Sequence, residues 1–80
     1  MEADEILDRL TPIFRDIFEK PGLVIGPQTM ARDVENWDSL NHVTLIMQVE
    51  RAFGIKFALG ELQDLKSVGS LIALISKKMA

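Results

Sequence analysis

Asp38, Ser39 and His42 are the residues of this chain whose types and spacing could do chemistry together. They stand where a segment without regular period, Lys20 to Trp37, gives way to the apolar-rich run Asn41 to Phe53. A hydroxyl in the first turn of a helix lies among backbone N–H groups that have no partner inside that helix. Those N–H groups and the positive end of the helix dipole favour an anion, so a phosphate ester on Ser39 would be well placed. The plainer reading is that Asp38 or Ser39 merely caps the helix. Nucleophilic catalysis is a third reading, because His42 follows Ser39 by three residues and is its neighbour on a helix surface. It lacks its other parts: no glycine-flanked elbow surrounds Ser39, and neither an orienting carboxylate nor an oxyanion hole can be named. Helical period also turns His42 toward Leu45 and Val49, as a half-buried, hydrogen-bonded histidine or a contact residue.

Composition removes several other classes. Eighty residues support one small domain, 1–80, with a thin core. With no cysteine and only His42 as histidine, thiolate and multi-histidine metal sites are excluded. Asp33 and Glu35 are too few oxygen ligands for a calcium loop. Net charge is −3, but unevenly spread: residues 1–19 carry six acids against Arg9 and Arg15, whereas the segment after Phe53 is net basic. No basic stripe with interleaved aromatics suggests a nucleic-acid partner. No apolar run approaches the roughly 20 residues of a membrane span, and the acidic start is unlike a secretory signal, so a cytoplasmic location is expected.

The elements that would hold the central stretch follow from hydrophobic spacing. Ile6, Leu10, Ile13, Phe14 and Ile17 fall on one face of a first helix, Ala3 to Glu19, with Leu7 and Phe18 widening the stripe. Pro12 should kink it or restart it with Thr11 as a cap; a kinked single helix is the expectation. Lys20, Pro21 and Gly22 should stop it. The long connection that follows needs anchors, and Leu23, Ile25, Met30, Val34 and Trp37 qualify. A short strand at Leu23 to Ile25 would have nothing nearby to pair with.

The second helix, Ser39 to Phe53, is apolar on two sides. Leu45, Ile46, Val49 and Phe53 gather on one face, and Leu40, Val43 and Met47 nearly opposite. One stripe can pack a core; the other is surplus and is available to partners. Gly54 should end the helix, Ile55 and Phe57 turn inward, and Gly60 to Lys66 supports one or two helical turns. Ser67 can cap a last helix striped by Val68, Leu71, Ile72, Leu74, Ile75 and Met79, with Lys77 and Lys78 at its negative end. The expected fold is all-α: a small four-helix bundle, three main helices plus one short, with a long loop between helices one and two.

Asp38, Ser39 and Leu40 opening the second helix, after a long loop from an acidic amphipathic helix and before Val43, Leu45, Ile46, Phe53, Gly54 and Ile55, resemble the acyl carrier protein family. The resemblance spans nearly the whole chain; the triplet alone is weak, and its position in the order of elements is what makes it specific. It implies no catalysis by the chain. It implies that a phosphopantetheinyl transferase attaches 4′-phosphopantetheine from coenzyme A to Ser39, and that Asp38 assists the installation. The thiol of that arm then holds acyl groups as thioesters for an acyl ligase or acyltransferase and for synthase enzymes. Leu40, Val43, Thr44, Met47 and Arg51 would form the surface that partners read, and Leu45, Ile46 and Val49 would line an interior shelter for the acyl chain. A monomer is expected.

Departures from the commonest relatives narrow the reading. Val34, Glu35, Asn36 and Trp37 stand where housekeeping carriers have leucine and glycine, and the second helix, with Asn41, His42, Thr44, Gln48 and Arg51, is close to neutral. Electrostatic steering toward basic partner surfaces would be weakened. A carrier dedicated to one fatty-acid, polyketide or specialised lipid route is expected. An aminoacyl or peptidyl carrier, and a helical interaction module without a prosthetic group, are the alternatives. Trp37, the only tryptophan, is either a reporter of the arm beside Ser39 or a buried loop anchor.

Overall fold

The first helix, α1 (Ala3–Ile17), forms where apolar residues recur at helical spacing, and it buries Ile6, Leu10 and Phe14 completely. Asp4 and Glu5 in its first turn and Arg15 in its last complement the helix dipole. Pro12 sits inside this one continuous helix. It cannot donate to the carbonyl four residues back. Beside it, the Thr11 hydroxyl donates to the Leu7 carbonyl at 2.8 Å. The helix ends two residues earlier than its apolar pattern suggests, because Glu19 takes a left-handed conformation (φ 54°) and Lys20 N–H reaches back to the Arg15 carbonyl at 3.0 Å.

The computed structural model describes residues 2–62, 65 and 67–79. Within them, α2 (Ser39–Phe53), the single turn α3 (Leu59–Leu62) and α4 (Val68–Met79) follow α1, and no strand is present among the described residues. The expected short helix at Gly60 to Lys66 begins one residue earlier, at Leu59; Gln63, Asp64 and Lys66 lie outside the described residues. The four-residue α3 buries none of its own residues, so contacts must hold it. Glu61 supplies them, accepting from Ala58 N–H at 2.7 Å and pairing with Lys78 of α4 at 2.8 Å. The Lys78 hydrogen bond, with that of Ala58 behind it, holds the Glu61 carboxyl below the usual carboxylate range.

The long connection is better organised than its lack of period suggests. Ile25, Val34 and Trp37 are buried, Leu23 packs against the core, and Met30 is half-buried. Thr29 closes a turn by accepting from Gly26 N–H at 2.9 Å through its hydroxyl. A 3-10 turn, Ala31–Asp33, follows, in which Asp33 Oδ2 accepts from Met30 N–H at 2.9 Å. The pairing partner is not at Leu23 to Ile25 but further on: Met30 bridges antiparallel to Ser67, and Val68 N–H donates to the Thr29 carbonyl at 2.8 Å. The contact is close. A Cβ on Gly69 would stand 2.5 Å from the Pro27 carbonyl oxygen, nearer than any side chain tolerates.

The core gathers between α1, α2 and α4. Phe14, Leu45, Val49, Val68, Leu71 and Ile75 are among its fully buried side chains, and α1 packs on both α2 and α4. Ser67 caps α4, its Oγ accepting from Ser70 N–H at 3.1 Å. Among the described residues, no helix is long and apolar enough to cross a membrane.

Candidate functional site

The start of α2 is built by its own residues. Asp38 has extended backbone and caps the helix, its Oδ1 accepting from Asn41 N–H at 2.9 Å while its carbonyl takes His42 N–H at 2.8 Å. Asn36, at a left-handed φ of 72°, turns the chain into this cap. Its carbonyl collects Asp38 N–H at 2.9 Å and Asn41 Nδ2–H at 2.7 Å. Asparagine suits such a position because its short polar side chain tolerates left-handed backbone. The sequence reading noted Asn36 and Asn41 only as departures from the commonest relatives, not as the pair that holds this turn.

Ser39 is then the first residue of the helix, exposed, and its hydroxyl makes no hydrogen bond among the described residues. Asp38 serves the Asn41 N–H with one carboxylate oxygen, so Oδ2 and the N–H groups of Ser39 and Leu40 stay available to an incoming group. Cap and anion site coexist, because each uses different members of the same set of unpaired donors.

Beside Ser39 lies an open cleft of about 390 Å³. Asp38 and Ser39 form its exposed part, Ala31, His42 and Leu62 are half-buried in it, and Trp37 and Leu65 are buried. Trp37 Nε1–H donates to His42 Nδ1 at 2.9 Å, and the two rings lie edge to edge, with centroids 6.1 Å apart and planes 20° from parallel. Trp37 also sets its edge against Phe14 at 5.2 Å and leans on Phe18 at 6.1 Å. His42 thus faces Trp37 and this cleft, with its acceptor nitrogen already used by an indole. Burial lowers the His42 pKa, and a hydrogen bond from the imidazole to the Leu62 backbone carbonyl opposes that shift in part. A neutral imidazole occupied in this way is no base for Ser39, and the geometry offers the serine for modification rather than for attack.

The two faces of α2 separate cleanly. Leu40, Val43 and Met47 are 77%, 58% and 56% exposed, and Thr44 and Arg51 are exposed beside them. Leu45, Ile46 and Val49 are packed in the core, at most 4% exposed, and the residues lining the cleft are others. Ala31, Leu62 and Leu65 join the cleft without having been singled out for it. Leu62 and Leu65 were legible as apolar residues of a short helix, but not as neighbours of Ser39.

An exposed, unbonded serine at the positive end of a helix, beside an open cleft, in a four-helix all-α fold, defines a carrier-type site that fits a covalently attached phosphodiester. The family described as phosphopantetheine attachment site matches residues 8–75. The acyl carrier protein of Thermosynechococcus vestitus is 35% identical over 81 aligned positions, covering 100% of this chain and 99% of its own. That of Thermobifida fusca is 33% identical, covering 91% of this chain and 92% of its own. The solution structure of holo acyl carrier protein from Geobacter metallireducens superposes with a TM-score of 0.84 at 52% identity, over 91% of this chain and 84% of that one. The chain belongs to the acyl carrier protein family. It is a carrier and not an enzyme, bearing covalent 4′-phosphopantetheine and working with synthase and transferase enzymes.

Proposed function

We propose that the whole of residues 1–80 acts as one monomeric acyl carrier domain, with Ser39 as the attachment point of the arm. The observation that supports this best is the exposed, unbonded Ser39 hydroxyl beside the Asp38 cap, facing N–H groups that the helix leaves unpaired. When attached, the arm supplies a thiol that holds acyl groups as thioesters. The chain's own residues present the hydroxyl, orient it and hold the phosphodiester. Asp38 has a second role, because Oδ2 remains able to help orient metal and coenzyme A while a phosphopantetheinyl transferase is bound.

Leu40, Val43, Thr44, Met47 and Arg51 are the surface that partners read. The exposed face of α2 offers a partner apolar contact and one cation rather than a row of carboxylates: Glu50 is half-buried, and its Oε2 is taken up by Phe57 N–H at 2.8 Å. This favours a dedicated carrier in a polyketide, fatty-acid or specialised lipid route, served by its own ligase or acyltransferase and working in the cytoplasm, where coenzyme A is available. Leu45, Ile46 and Val49 can shelter an acyl chain only if the packed core opens.

Intact-mass measurement after treatment with a broad-specificity phosphopantetheinyl transferase and coenzyme A tests the attachment. One added arm is expected on the wild-type chain and none on Ser39→Ala; an arm on Ser39→Ala would refute the assignment. Loading by acyl versus amino-acid ligases separates an acyl carrier from an aminoacyl one.

A further inference from the structure

We propose that Trp37 and His42 are specificity-determining residues that together form a stop between Ser39 and the bundle interior, restricting sheltered cargo to short acyl groups; the proposal rests on Ser39 carrying the arm. The cleft beside Ser39 is shallow and open, and its buried walls are Trp37 and Leu65. An acyl chain brought to this cleft by the folded-back arm gains stability only by leaving water. A short group can do so in the cleft. A longer one outgrows the cleft, of whose walls the indole and imidazole are two.

Three observations make the pair a stop rather than a loose flap. Trp37 is braced from behind, edge-on against the fully buried Phe14 and tilted against Phe18 of the α1 end. The Trp37 N–H and the His42 Nδ1 satisfy each other at 2.9 Å, so prising them apart breaks a hydrogen bond that the buried indole N–H would have to replace. The two rings, edge to edge and 20° from parallel, together present a nearly continuous flat wall to the cleft. In the same core as Trp37, Leu45 and Val49 have no exposed surface and Ile46 only 4%. A core packed to that degree accepts a chain only by moving side chains. His42 acts here through Trp37, as a positioning residue, and Trp37 meets the cargo.

The test transfers acetyl-, butyryl- and octanoyl-phosphopantetheine arms, in hydrolysis-resistant amide form, from the matching coenzyme A analogues to Ser39 with a broad-specificity transferase, which releases adenosine 3′,5′-bisphosphate. Intact mass confirms loading first, and a chain that gains no mass refutes the attachment reading instead of the stop. Melting temperature and Trp37 emission are then compared along the series. On the wild-type chain, butyryl and octanoyl forms should melt within about 1 °C of each other, with the same emission, and the octanoyl terminal methyl should remain open to broadening by a soluble paramagnetic agent. In His42→Ala, the octanoyl form should melt at least about 4 °C above the butyryl form, with its methyl protected. Trp37→Phe keeps an aromatic ring but removes the N–H donor, and should behave like His42→Ala. A wild-type octanoyl chain that is protected and stabilising would overturn the proposal, and so would folded variants that shelter it no better than wild type. Should neither variant fold, the wild-type series decides alone.

Discussion

His42 is the half-buried, hydrogen-bonded histidine that its place on the helix suggested, and the structure supplies the partner: its Nδ1 accepts from Trp37, and burial disfavours its charged form. The consequence is a pH dependence with a definite sign. The folded pKa lies below the unfolded value of about 6.5, so the unfolded chain binds more protons as the medium acidifies. The stability this histidine contributes is complete above the unfolded value and declines as pH falls from there toward the lowered folded value. Thermal melts at about pH 8 and pH 5.5 should show a larger loss for wild type than for His42→Gln, which cannot titrate; equal losses would mean that His42 keeps its neutral form at no cost to folding. Asp38 and Ser39 were readable from sequence because a cap and an anion site depend on a few adjacent backbone groups. The Trp37–His42 contact was not, since nothing in a five-residue spacing tells which ring a loop tryptophan will meet.

At the scale of elements, α2 decides how the molecule divides its work. Helical period alone placed Leu45, Ile46, Val49 and Phe53 on one side and Leu40, Val43 and Met47 on another, and the structure buries the first set and exposes the second. Substitutions should therefore separate folding from recognition. Met47→Asp should change stability by no more than about 0.5 kcal/mol while slowing acyl transfer to a cognate partner enzyme. Val49→Asp places an unpaired carboxylate in the core and should leave the chain unfolded by circular dichroism. A folded Val49→Asp or an unfolded Met47→Asp would contradict the assignment of faces. α3 was expected as a short helix at Gly60 to Lys66, and the structure sets its one turn at Leu59–Leu62. Its four residues carry no helical period of their own, and the Glu61 contacts to Ala58 and Lys78 help hold it beside the cleft.

For the whole molecule, the decisive contact is between the long connection and the start of α4. Gly69→Ala tests it, because the added methyl would have to displace the Pro27 carbonyl oxygen 2.5 Å away. Backbone cannot yield as a side-chain tip does, so a destabilisation of about 1–3 kcal/mol is expected in denaturant titration, well beyond the small gain alanine normally brings to a helix. An unchanged or raised midpoint would show that the loop shifts freely. Local chemistry and helical period were enough to determine the order of helices, their caps at Asp38 and Ser67, the glycine stop at Gly54, the two-sided α2 and the serine set at a helix start. Each of these rests on interactions within a few residues. Only the tertiary structure decided that Met30 pairs with Ser67, that Leu62 and Leu65 border the space beside Ser39, and that Trp37 and His42 close on each other there. Those contacts join segments far apart in the chain or without period, and packing, not local preference, selects among the partners available to them.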